Sequence, residues 1–251
     1  MSSSEKIKFM TYNVWSCEHV AVYRRIKAIS GLIAHHEPDV IFLQLSKLDA
    51  CVPRWYGSES PRADATTPGL LSASVYKTFP SEHPVIAGNI QFGPQRQYVR
   101  VATCRLEGPT PEDVGAYNVV LGGDLGWDDD IDGPIRLRPG WVDAWKELRG
   151  GDEDGGGGGA WTYDTVANPM LRGRGKTERK RPDRFLCMLT DFRLECIEMV
   201  GVEPIPGVTS HYDDEGNVLP VLPSHHFGLL LTIAPKPKST HFHGTKRLKP
   251  F

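Results

Sequence analysis

The sequence predicts an α/β domain, and three observations predict it. Ile7 to Val14 reads as a strand, Tyr23 to His36 repeats apolar residues at helical spacing, and Val40 to Leu43 is a compact apolar run. Strand, helix and strand thus follow one another within about 40 residues, the grammar of an α/β unit.

The first strand carries Ile7, Phe9, Met10, Tyr12 and Val14 and exits through polar residues from Asn13 to Ser16. The helix places Ile26, Ile29, Leu32 and Ile33 on one face, and Pro38 ends it. Residues 51–97 are rich in Pro, Ser, Gly and Arg and predict long loops with one short strand near Val85 to Ile90. Tyr98 to Leu106 alternates like a strand. Val119-Val120-Leu121 forms another and stops at Gly122-Gly123-Asp124, where glycines permit a tight turn. Residues 150–159 are a flexible glycine-rich run. Trp161-Thr162-Tyr163 reopens a strand, residues 172–181 make a basic loop, and Arg184 to Leu189 and Leu194 to Met199 read as strands. Val218 to Leu222 leads into Pro223-Ser224-His225-His226, and Gly228 to Ile233 is a last buried strand. The expected organisation is a disordered N-terminus over 1–6, one domain over 7–236 and a basic disordered tail over 237–251.

Composition bounds the function classes. Of 251 residues, 39% are hydrophobic and 24% charged, which suits a globular domain with a sizeable core. The net charge is −2, so nucleic acid would have to be met by a local basic patch. Cys17, Cys51, Cys104, Cys187 and Cys196 are scattered and odd in number, against a disulfide framework or a structural zinc site. The expectation is a soluble intracellular monomer with no secretory signal and no membrane partner.

Four strand ends present polar groups: Asn13, Asp124, Asp183 and His226. An Asn, an Asp after two glycines and a late His suit metal-assisted phosphodiester cleavage, in which Asp124 takes part in holding Mg²⁺ or Mn²⁺. An Asp can also orient water, and a His can donate a proton or stabilise charge. Each piece alone has a plainer reading. Gly-Gly-Asp is a common turn, Asn13 can cap a strand end, and adjacent His225 and His226 can be a surface feature, their side chains diverging too far for joint metal ligation. Asp183 reads as an ion-pair partner of Arg181 or Arg184. Arg172, Arg174, Lys176, Arg179, Lys180 and Arg181 can track DNA phosphates or simply be solvated.

In this order the pieces resemble the endonuclease/exonuclease/phosphatase superfamily, and most closely its plant-type 5′-tyrosyl-DNA phosphodiesterases of type 2. The matching stretches are TYNVW (11–15), IKAISGLIAHHEPDVIFLQ (26–44), GGDLGWDDDIDGP (122–134), GWVDAW (140–145), WTYDTVANPML (161–171), RPDRFLC (181–187), IEMVGVEPIPG (197–207) and LPVLPSHHFGLLLTI (219–233). The resemblance implies a four-layer, DNase I-like sandwich of two mixed β-sheets flanked by helices. It implies Mg²⁺-dependent hydrolysis of the 5′-phosphotyrosyl bond of trapped topoisomerase II on DNA ends, in the nucleus, with the cytoplasm as a second location. Asn13 matches an Asn that contacts phosphate or metal-bound water. Asp124 matches the Asp that positions attacking water, and His226 the His that stabilises transition-state charge. Trp161 and Tyr163 match an aromatic segment for which a core role is expected.

The chain departs from that pattern. Leu45 stands where the family has a metal-holding Glu after Phe-Leu-Gln, Arg105 replaces a His, Gly126 replaces an Asn, and His225 replaces the Asp of Ser-Asp-His. That Asp is expected to orient the catalytic His. Two apparent internal deletions predict unpaired sheet edges. The alternatives are therefore a catalytically impaired relative that binds DNA or a partner, and another nuclease or phosphatase of the superfamily.

Overall fold

The computed structural model describes residues 6–45, 69–76, 85–92, 97–103, 118–150, 161–171, 176–209, 211–213 and 215–237. Expectations for the N-terminus, the tail, the glycine-rich run, Arg105, Arg172 and Arg174 lie outside these residues.

The early strand–helix–strand unit forms as expected: β1 (Ile7–Val14), α1 (Val22–His36) and β2 (Val40–Leu45), with β1 and β2 parallel. β1 is buried on both faces because its apolar residues serve two cores. Ile7 and Phe9 join the core between the sheets, while Met10 and Tyr12 meet Val22 and Ile29 of α1. The helix ends where Glu37 turns left-handed, at φ 48°, and donates its N–H to Ile33 O at 2.9 Å, just before Pro38.

Residues 51–97 hold more structure than their composition suggests. β3 (Gly69–Tyr76) pairs with β4 (Val85–Phe92), which pairs with β5 (Gln97–Thr103). β6 (Asn118–Asp124) lies parallel to β5. After it come α2 (Asp129–Asp132), β7 (Val142–Asp143) and α3 (Ala144–Arg149), short elements the sequence pattern does not announce. β8 (Tyr163–Asp164) pairs with β9 (Arg179–Lys180), so the strand expected at Trp161 begins two residues later. β10 (Asp183–Leu189), β11 (Phe192–Val200) and β12 (Gly228–Pro235) complete the set.

Two mixed sheets result, one in the order β11-β12-β1-β2 and one in the order β3-β4-β5-β6-β10-β7. Ile7, Phe9, Phe42, Leu231 and Ile233 of the first meet Val99, Val101, Val120, Phe185 and Cys187 of the second in one buried core. At Gly122 a Cβ would sit 2.6 Å from the Phe185 ring and 2.9 Å from that of Phe42, so the bare glycine lets these two rings meet edge-on. α1 covers the outer face of the first sheet. The outer face of the second is covered instead by Trp127, Ile135, Leu137 and Trp141 from the largely non-helical stretch after β6. Among the described residues, α1 is thus the one long helix flanking the sandwich.

Candidate active site

The sandwich gathers the four polar strand ends. Asn13 lies at the end of β1, Asp124 at the end of β6, Asp183 at the start of β10 and His226 just before β12. Antiparallel pairing puts Asp183 directly opposite Asp124. Asn13 Nδ2 donates to Asp124 Oδ2 at 2.7 Å, and the Gly126 N–H donates to Asp124 Oδ1 at 2.9 Å. Gly126 has φ 65°, a left-handed conformation that favours glycine, and it brings no side chain to the site.

Ser224 ties the late loop to β1. Its hydroxyl donates to Asn13 O at 2.6 Å and accepts from the Trp15 N–H at 2.9 Å. The loop after Asn13 is held from beneath by Arg25, whose buried guanidinium donates to Trp15 O at 2.9 Å, Cys17 O at 2.5 Å and Val20 O at 2.7 Å. Burial lowers the Arg25 pKa from its ordinary value.

His226 Nδ1 is 2.7 Å from Asp183 Oδ2, which also accepts from Thr162 Oγ1 at 2.6 Å. Asp183 is fully buried and His226 is 6% exposed, so the pair is shielded from water. Burial pushes the imidazole pKa down, but the charge and hydrogen bond of Asp183 and the charge of Asp124 outweigh it and raise the pKa above its usual value. Two expectations are corrected here. Asp183 is not the partner of Arg181 or Arg184. The carboxylate that orients His226 comes from β10, so placing His225 before it does not deprive the ring of its acidic partner. His225 instead joins an aromatic rim: its ring lies 4.4 Å from that of His226, 5.7 Å from Trp15 and 6.3 Å from Tyr163. Tyr163 also reaches the His226 ring at 5.3 Å, so it borders the site rather than serving only the core.

One ligand atom from each of Asp124, Asp183 and His226 lies within 4.8 Å of the other two. Asp183 Oδ1 is buried with no hydrogen-bond partner. Two carboxylates and an unsatisfied buried oxygen fit a divalent cation, which would supply the missing compensation. Leu45 pairs with Val14 at the tip of β2, and its neighbour Gln44, opposite Asn13, donates to Thr11 Oγ1 at 3.3 Å.

The basic residues divide. Arg181 is buried and grips Asp143 through two bonds of 2.9 and 2.7 Å, so its charge does not face solvent, contrary to expectation. Arg184 reaches Asp143 at 3.3 Å and Asp129 at 2.7 Å. Burial opposes ionisation of Asp143, but the two guanidinium groups hold its pKa below the ordinary value. Lys180 pairs with Asp128 at 3.2 Å, Arg179 pairs loosely with Asp164 at 3.4 Å, and Lys176 is exposed. Sequence reasoning missed Arg25, Asp143, Thr162 and the site role of Asp183. The aspartate on the strand end was its one available signal.

The fold matches that of solved structures. D. rerio TDP2 complexed with single strand DNA product aligns at TM-score 0.66 and 16% identity, covering 91% of this chain and 98% of that one. Truncated Caenorhabditis elegans TDP2 aligns at TM-score 0.66 and 17% identity, over 91% and 98%. The human Nocturnin catalytic domain aligns at TM-score 0.56 and 12% identity, over 92% and 94%. The chain has the endonuclease/exonuclease/phosphatase fold. No protein-family model matches the sequence, and no curated relative matches it.

Proposed function

We propose that this chain is a metal-dependent phosphodiesterase acting on DNA 5′ ends that carry a tyrosyl or peptide adduct. The observation that carries the reading is the pairing of Asn13 with Asp124 and of Asp183 with His226 at adjoining strand tips. The likeness to a TDP2 structure holding a single-stranded DNA product supports the substrate class.

Each residue has a task that its geometry suits. Asn13 and the Gly126 N–H fix the Asp124 carboxylate, which can orient and deprotonate an attacking water. His226, held by Asp183 and charged more readily than a free imidazole, faces the negative charge that grows on the phosphoryl oxygens. Mg²⁺ or Mn²⁺, held by Asp124 with Asp183 beside it, would supply further neutralisation of that charge. Lys176 and Arg179 offer exposed positive charge for the DNA strand. Repair of topoisomerase II adducts would place the protein in the nucleus.

Leu45 favours a second reading, a DNA- or partner-binding relative without turnover, because it supplies no oxygen ligand where the family pattern has Glu. The test is release of tyrosine from a 5′-phosphotyrosyl oligonucleotide with Mg²⁺ or Mn²⁺, beside His226→Ala. Metal-dependent turnover lost in the variant supports the enzyme. A folded protein without turnover overturns it in favour of the second reading.

A further inference from the structure

We infer that Arg25, on helix α1, is a positioning residue for the reaction, holding Trp15 so that Asn13 and His226 stay aligned. Its catalytic consequence rests on the proposed phosphodiesterase reading, while the hold itself rests on geometry alone.

Arg25 is 1% exposed and spends each of its three nitrogens on a different carbonyl of the loop between β1 and α1. Nε donates to Val20 O at 2.7 Å, Nη1 to Trp15 O at 2.9 Å and Nη2 to Cys17 O at 2.5 Å. Among the described residues it has no ion pair with a carboxylate, so charge pairing does not explain it. A buried cation without a counter-charge is costly, and an apolar side chain would fill the same space at lower cost. What the guanidinium adds is a rigid plane of diverging donors, which the single ammonium of a lysine cannot reproduce. Those donors satisfy buried carbonyls and fix the path of the loop.

Trp15 passes the hold on by two routes. Along the backbone, its N–H donates to Ser224 Oγ at 2.9 Å, and the same hydroxyl donates to Asn13 O at 2.6 Å. One buried hydroxyl thus clamps Trp15 and Asn13 to the segment that leads into His226, and Asn13 in turn donates to Asp124 at 2.7 Å. Through the rings, the Arg25 guanidinium lies 4.9 Å from the Trp15 ring centroid. Trp15 lies 5.7 Å from His225, and His225 lies 4.4 Å from His226. Among the described residues, Arg25 has no hydrogen bond or ion pair with Asp124, Asp183 or His226, so it acts on them through Trp15.

The test is steady-state kinetics of the full chain on a 5′-phosphotyrosyl oligonucleotide, comparing Arg25→Lys, Ser224→Ala and the double variant. Denaturant unfolding establishes that each is folded. In folded Arg25→Lys, kcat should fall about 10–100-fold, the scale of a small misplacement of reacting groups, with KM within about 2-fold. The losses in the double variant should be non-additive, because both changes break one link. A role in stability alone would leave kcat of the folded protein unchanged. Amide exchange reads the hold without turnover. The Trp15 N–H should exchange at least about 10-fold faster in Arg25→Lys, while the Met10 N–H inside β1 stays protected. If the unsubstituted protein does not turn over, the phosphodiesterase reading fails and amide exchange alone decides the hold. If Arg25→Lys does not fold, exchange in the unsubstituted protein replaces it, and the Arg25 Nε–H and the Trp15 N–H must then open with the same denaturant dependence. Unchanged kcat in active, folded Arg25→Lys, additive losses, an unmoved Trp15 amide, or separate opening of the two groups overturns the inference.

Discussion

Asp183 Oδ2 lies 2.7 Å from His226 Nδ1, on a carboxylate with no exposure to solvent. This contact joins the start of β10 to the loop before β12 and selects the tautomer that presents Nε2 outward. Asp183→Asn keeps the shape but removes the charge that favours the imidazolium. In the active enzyme we expect kcat to fall by about 10²–10³-fold, the scale seen when one preorganised electrostatic group is lost, with KM little changed. Steady-state kinetics on a 5′-phosphotyrosyl oligonucleotide measures both. A KM effect with unchanged kcat would assign Asp183 to substrate binding instead.

The same pair makes stability depend on pH. The folded-state pKa of His226 is raised, so the protonated ring is bound more favourably in the folded chain than in the unfolded one. Its contribution is fully present below the unfolded value of about 6.5 and is lost as pH rises through the higher folded value. The stability gap between the unsubstituted protein and His226→Gln should therefore be larger near about pH 5.5 than near about pH 9. Denaturant midpoints at the two pH values give the gap, and the opposite ordering would contradict the raised pKa.

Asp143 is the structural counterpart of this site. Its carboxylate is buried between Arg181 and Arg184, caps α3 through the Trp145 N–H at 3.0 Å, and belongs to β7, which pairs directly with the strand that carries Asp183. Removing one member leaves uncompensated buried charge, so Asp143→Ala should cost about 3–5 kcal/mol of stability. Urea unfolding monitored by tryptophan fluorescence checks the figure. A loss under about 1 kcal/mol would mean that water reaches the two arginines.

The legible parts of this sequence are those where one physical signal dominates. β1, α1, β2 and β12 are read directly from apolar periodicity, because each buries a continuous face. Asn13, Asp124 and His226 are legible as polar groups closing apolar strands. Pairing across the sheets is not. Whether Asp183 meets an arginine two residues away or a histidine 43 residues away depends on how the sheet that holds β10 packs against the one that holds β12, which no local pattern encodes. β3 was hidden for a related reason: Gly69, Ser72 and Ser74 dilute its strand pattern, and the partner that stabilises it lies along β4.

The division among basic residues predicts two separable phenotypes. Arg179 is half exposed beside Asp164, and Lys176 is exposed, so their charge is available to a DNA backbone. If they contact phosphates, replacing each by alanine should weaken single-stranded DNA binding evenly across sequences and reduce the salt dependence by about 0.7 per contact. Arg181→Ala should behave differently. Its guanidinium is held by Asp143 in the interior, so the variant should lose stability by about 3–5 kcal/mol while the salt dependence of the folded fraction stays unchanged. Binding isotherms across a salt series, paired with unfolding curves, separate the two. A reduced salt slope in folded Arg181→Ala would mean that the arginine leaves Asp143 to meet DNA.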